Sequence, residues 1–179
     1  MAATRRRGTG AAWKQTAIRR MDRTRTATLN FLKRLPEEAI VRPRTQGDWS
    51  IKDILAHIAA WEEEGAKRLA LIRRGRAERV HFYDDMRGAD RFNTRVVAAA
   101  ARVSPRAMLG RLERARRHLV QEVRQLPPSA LRDPSHRYPV VGWLPEFAWT
   151  HEQGHLADIK AWWVTQKPPR LDDKRHTSA

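Results

Sequence analysis

Apolar positions along this chain recur with a helical period in four separate stretches. The first passes through Ile18, Met21, Thr28, Leu32 and Leu35, begins near Ala11 and stops at Pro36. The second passes through Ile51, Ile54, Leu55, Ile58, Gly65, Leu69 and Ile72. At its start Ser50 can cap the first amides and Asp53, three residues on, can reach back, which makes a capping box. Arg73-Arg74-Gly75 marks its C-terminal end, with Gly75 as the cap. The third stripe is Met108, Leu112, Ala115, Leu119, Val123 and Leu126, opened by Ser104-Pro105 and closed by Pro127-Pro128. On this helix Arg111, Arg114 and Arg117 are expected to face water. The fourth is Leu144, Phe147, Ala148, Ile159 and Trp162, with Pro145 in the first turn and Pro168-Pro169 beyond the end. No period-2 strand pattern of useful length and no internal repeat interrupts this scheme.

Four long amphipathic helices predict an all-α four-helix bundle. The connections on either side of the Pro105 helix are long, so parallel neighbours are permitted. The first is a charged connector over residues 76–90 with Asp84-Asp85 and Gly88, expected to cover part of the bundle mouth, then a short helix from Asp90 to Arg102. The second is a loop from Ser129 to Gly142. Residues 1–10 carry no core pattern and are expected as a disordered basic tail, residues 11–166 as the domain, and residues 167–179 as a polar C-terminal tail.

Composition narrows the chemistry. A chain of 179 residues with 41% hydrophobic content suits one domain with a real core. Without cysteine there is no thiolate ligand, disulfide or cysteine nucleophile, and His and carboxylates are the ligands left for a metal. The longest apolar run, Val96 to Ala101, is far too short to cross a membrane, and Lys14 and Arg19-Arg20 interrupt any export signal. The expectation is a cytoplasmic protein with no membrane partner. The net charge of +16 is spread over the N-terminal tail, Arg19-Arg20, Arg73-Arg74, Arg116-Arg117 and the C-terminal tail. With no nucleic-acid recognition signature, it reads as a solvated basic surface whose DNA binding is weak and non-specific.

His151 and His155 fall in a gap of the fourth stripe, one turn apart. Residues four apart on a helix lie one above the other, about 5–6 Å apart. Two such imidazoles can reach one ion at bond lengths of roughly 2.0–2.1 Å. Burying both without a partner would be costly. His57, three after Ile54 and four before Trp61, borders the second stripe, so a third imidazole approaches the core from another helix. His81 is a possible ligand by residue type but sits in loop sequence without a partner, so it is not expected to be one. His118, beside the third stripe with no second polar partner, is expected to be structural or exposed. Glu62-Glu63-Glu64 are expected as a solvated turn pairing with Lys67 and Arg68.

His151-Glu152-Gln153-Gly154-His155 also matches the H-E-x-x-H pattern of metalloproteases. The metzincin extension needs a glycine and then a histidine where this chain has Asp158 and Ala161, and no glutamate follows Glu152. A substrate-binding sheet is missing from the pattern as well. Glu152, about 100° round the helix from His151, is either a surface residue paired with a basic neighbour or a proton acceptor flanking the metal.

The segment Asp48-Trp49-Ser50-Ile51-Lys52-Asp53-Ile54-Leu55-Ala56-His57-Ile58-Ala59-Ala60-Trp61-Glu62 resembles the second helix of the DinB-like four-helix-bundle metalloproteins, and His151 and His155 before Ile159 and Trp162 resemble their last helix. The resemblance covers roughly residues 11–166. It implies a divalent metal, zinc or nickel, held by His57, His151 and His155. Relatives of this type include thiol-dependent S-transferases, mycothiol-dependent maleylpyruvate isomerases and colibactin-resistance cyclopropane hydrolases, and the second-helix segment looks close to the last of these. The family shares only a name with a DNA polymerase. The expectation is therefore a metal-dependent transferase or hydrolase acting on a small electrophilic molecule. Any thiol would come from a low-molecular-weight cosubstrate, since the chain has no cysteine. The alternative is a stress-response protein that sequesters a small molecule or metal without turnover, or, less favoured, associates with nucleic acid. A homodimer is compatible with either reading.

Overall fold

The computed structural model describes residues 2–82 and 86–166. In chain order the elements are α1 (Ala2–Leu32), α2 (Glu37–Val41), α3 (Ile51–Arg73), a 3-10 turn (Ala77–Arg79), α4 (Met86–Ala100), α5 (Pro105–Gln125), a second 3-10 turn (Pro128–Arg132), α6 (Val140–Phe147) and α7 (Trp149–Thr165). Among the described residues there is no strand, only an isolated bridge between Gln46 and Trp49. The fold is all-α, as the stripes predict.

Local chemistry sets the helix ends. The Ser50 side chain accepts from the Asp53 amide and the Asp53 carboxylate accepts from the Ser50 amide, so the capping box forms. Gly75 follows the α3 C-cap at φ +70, a left-handed conformation that glycine adopts without strain. Ser104 accepts from the Ala107 amide, and Pro105 is the first residue of α5.

Four differences from the sequence expectation have physical causes. First, α1 extends back to Ala2, through residues expected as a tail. Gly10 packs so tightly on Pro128 that a Cβ would lie 2.8 Å from the proline Cβ. One turn on, Lys14 Nζ donates to the carbonyls of Arg124 and Leu126 at the end of α5, at 2.7 and 2.8 Å. Second, α2 arises in a segment with too few residues to show a stripe. Third, the short helix starts at Met86 and ends at Ala100, where Lys52 Nζ donates to the carbonyls of Ala100 and Ala101 at 2.9 and 3.0 Å. Fourth, the final helix is two helices, because the backbone breaks at Ala148 (φ −129, ψ −102), and Pro145 lies inside the shorter one. Asp84-Asp85 and residues 167–179 lie outside the described residues.

The apolar core is split in two. One cluster contains Met21, Leu69, Leu119, Val123, Leu144 and Trp149, the other Leu32, Ile51, Leu55, Leu112, Leu156 and Ile159. Each of the four long helices contributes to both. Followed along the chain, α1 and α7 pass from the first cluster to the second, whereas α3 and α5 pass from the second to the first. So α3 and α5 run the same way, which the long connection through α4 makes geometrically feasible. Between the clusters lies a layer of buried polar residues: Thr24, Arg25, Thr28, Glu62, Arg116 and Glu152.

Candidate metal centre

The loop before α3 and the first turns of α3 build one wall of the site. Thr45 and Gln46 donate their amides to the Trp49 carbonyl at 2.8 and 3.2 Å, and Trp49 donates back to the Gln46 carbonyl at 3.0 Å. Gly47 turns the chain between them at φ +56. This tight loop sets Trp49 beside His57, which follows the Ser50 cap by seven residues along α3, and Gln46 beside His155. The Trp49 ring lies 5.1 Å from the His57 ring. On the other side stands Trp61, whose indole donates to Asn93 Oδ1 of α4 at 3.0 Å.

From α7 come His151 and His155. His57 Nε2 and His151 Nε2 lie 2.8 Å apart, and His155 Nε2 lies 3.1 Å from His151 Nε2. The three imidazoles form a group that could hold one metal ion, with ligand atoms all within 4.8 Å of one another. His57 is buried, and His151 and His155 are half-buried. The pair therefore lies at the edge of the core rather than filling its centre, because the break at Ala148 resets the helix phase and gives the central positions to Glu152 and Leu156.

Burial, with His155 adding to it, lowers the His57 imidazole to about 4, against an upward pull from Asn93. Burial and the two neighbouring imidazoles lower His151 to about 3. Burial also lowers His155, opposed by Asp158. All three are thus neutral near pH 7. The tautomer of His155 follows from its partner: Gln46 Nε2 donates to Asp158 Oδ2 at 3.0 Å, so Gln46 Oε1 is left to accept from His155 Nδ1 at 2.9 Å. His155 Nε2 then carries a lone pair facing the other two rings. One inward proton can serve a single N···N contact, whereas one cation serves all three lone pairs. Ligand nitrogens at roughly 2.0–2.1 Å from a shared ion, 90–110° apart, are separated by about 2.9–3.4 Å. The observed separations of 2.8 and 3.1 Å are close to that range, so the donor set fits a metal. The Asp158–Gln46–His155 chain is the kind of outer-shell support that orients a metal-ligating imidazole.

Other sequence candidates go elsewhere. Glu152 is fully buried and turned away into the polar layer, where Arg25 Nε donates to it at 2.8 Å and Arg116 Nη2 at 2.6 Å. Glu62 is also fully buried, accepting from Arg25 Nη2 at 2.9 Å and from Arg116 Nε at 3.0 Å. The expected solvated turn is thus reached only in part: Glu64 pairs with Lys67 and Arg68, but Glu63 takes a two-pronged bond from Arg111 of α5. Arg116, counted above with the basic surface, is buried, and Arg111 is half-buried. His81 is exposed, His118 is exposed beside Glu122, and His136 lies beside Asp133. Gln46, Asn93, Arg25 and Arg116 carried no motif that pointed to the site.

A model of the DinB superfamily matches residues 20–159. This chain belongs to the DinB superfamily. The superfamily is metal-binding, and the three-histidine cluster is compatible with that property. No curated protein and no solved structure matches the chain significantly. Among the described residues, no helix of this DinB-superfamily protein is long and apolar enough to cross a membrane.

Proposed function

We propose that this chain is a divalent-metal-dependent enzyme acting on a small electrophilic molecule, with His57, His151 and His155 as the metal ligands. The observation that carries it is the convergence of three neutral Nε2 atoms from two helices. Three protein ligands leave positions for water or substrate, the pattern of catalytic rather than structural sites. Zinc or nickel held there supplies Lewis acidity towards a substrate oxygen, a water or an external thiol.

The chain's own residues then have definite tasks. Gln46 fixes the His155 tautomer, so that Nε2 is the ligating atom. The Trp49 and Trp61 rings flank His57 and shield that side of the cluster from water. The half-buried faces of His151 and His155 give access from the other side. Glu152 has both oxygens bonded to arginines, so it takes no proton in this reading. A thiol nucleophile, in a transferase, comes from a low-molecular-weight cosubstrate, because the chain has no cysteine. Without a thiol, water is the nucleophile and the enzyme is a hydrolase.

The test is turnover of an epoxide, an enone and an activated ester by the metal-loaded protein, with and without a small thiol. Turnover that disappears with a chelator and in His151→Ala is expected. Bound metal with no turnover of any of the three would favour the sequestering alternative, and a wild-type protein that binds no divalent metal would overturn the proposal.

A further inference from the structure

We propose that the buried Arg25–Glu62–Arg116–Glu152 layer is the positioning device of the three-histidine site, fixing α7 against α3 so that His151 meets His57. This rests on the metal-site reading above. Each long helix supplies one member: Arg25 from α1, Glu62 from α3, Arg116 from α5 and Glu152 from α7. All are at most 6% exposed, and two cations balance two anions.

The wiring is specific. Arg25 grips both carboxylates, Glu62 at 2.9 Å and Glu152 at 2.8 Å. Arg116 also grips both, Glu62 through Nε at 3.0 Å and Glu152 through Nη2 at 2.6 Å. Each guanidinium is itself anchored to the backbone of the other's helix: Arg25 Nη1 donates to the Leu112 carbonyl at 2.6 Å, and Arg116 Nη1 donates to the Met21 carbonyl. A planar fork bonded at several points holds direction as well as distance.

The four helices joined through this layer include the two that bear the histidines. Glu152 is the residue after His151, and Glu62 lies five residues beyond His57. Direct packing does little to align them, since α3 packs chiefly on α5 and α4, and α7 chiefly on α1 and α6. Within α7 the buried apolar anchors are only Trp149, Leu156 and Ile159. A rotation or slip of α7 would pull Glu152 from both arginines and swing His151 away from His57 together. Stability alone is a poor reason for such a layer, because buried ion pairs are often matched or exceeded by apolar residues of similar volume, whereas setting register is their best-attested use.

The test separates position from stability. Arg116→Lys keeps the charge balance and removes the fork. The quadruple variant Arg25→Met, Glu62→Leu, Arg116→Met, Glu152→Leu replaces the layer by apolar groups. Zinc affinity, measured by competition with a chromophoric chelator, is expected to fall at least about ten-fold in both, the size of effect typical for outer-shell support. The thermal midpoint of the quadruple variant should match or exceed wild type. Unchanged zinc affinity in either folded variant overturns the proposal. A metal-free readout uses the absence of native cysteine: His57→Cys with His151→Cys is cross-linked by a short bifunctional thiol reagent, with and without Arg116→Lys. A lower cross-linking yield with Arg116→Lys is expected, and an equal yield overturns the proposal. If wild type binds no zinc, the functional reading falls, and the cross-linking alone judges the layer.

Discussion

His151 and Glu152 are neighbours on α7 and turn into two different polar clusters. Glu152 enters a set of four charges in which opposite signs face each other. His151 enters a set of three neutral rings whose nitrogens face one another across 2.8 and 3.1 Å. Its Nδ1 is buried without a hydrogen-bond partner. Buried polar groups need partners. Apart from Glu62 Oε2, which is also buried without a partner, the Arg–Glu layer finds them inside the chain and so belongs to the architecture. The imidazoles lack a proton or charge common to all three, and their arrangement is compatible with one shared metal ion.

The two clusters should therefore respond oppositely to substitution and to metal. Removing one partner from the charged layer should have the largest effect. Arg116→Ala leaves two buried carboxylates short of a cation, and breaking a buried pair this way costs about 3–5 kcal/mol. Urea denaturation of the metal-free protein should show that loss for Arg116→Ala and a much smaller one for His151→Ala. Equal losses would erase the distinction. Gln46→Ala should act on the other cluster alone. Metal affinity should drop by roughly 10–100-fold, as for outer-shell partners generally, while the metal-free denaturation midpoint stays in place. A shifted midpoint with intact affinity would make Gln46 a structural residue.

A subtler contrast lies in pH. The folded His57 and His151 are lowered to about 4 and about 3, from 6.5 when unfolded. Between those values the unfolded chain binds more protons than the folded one, so stability is full above pH 6.5 and declines as pH falls towards 3–4. Metal-free protein should lose stability from pH 6.5 to 5, and His57→Ala with His151→Ala should flatten that slope. Because His155 is lowered as well, part of the slope should remain, and a slope undiminished by both substitutions would place the titrating groups elsewhere. The smallest effect is expected for His118→Ala. Its side chain is 54% exposed beside Glu122, so stability should stay within about 0.5 kcal/mol and metal content should not change.

Much of this was legible where the chemistry is local. The Ser50–Asp53 box, Gly75 and Ser104-Pro105 act within a few residues, so their pattern suffices. The break at Ala148 was not legible, because Pro145 is tolerated early in a helix and gives no sign that a second helix starts four residues later. The Arg–Glu layer did leave a trace. Arg25 sits four after Met21 and three before Thr28, and Glu62 four after Ile58 and three before Gly65. Arg116 sits four after Leu112 and three before Leu119, and Glu152 four after Ala148 and four before Leu156. Each is a charge on a core stripe, alternating in sign from helix to helix. Stripes collected from apolar residues alone pass over them. Gln46 left no trace, because its contact with His155 bridges 109 positions and depends on a loop shape.

The central claim is one metal ion held by three imidazoles, and elemental analysis of purified protein addresses it most directly. Wild type, His57→Ala, His151→Ala and His155→Ala would be loaded with zinc, desalted and measured by mass spectrometry, with His136→Ala as control. One ion per chain is expected in wild type and His136→Ala, with sharp losses in the other three. His57→Ala retaining full metal would contradict the account, because the ion would then need only the α7 pair.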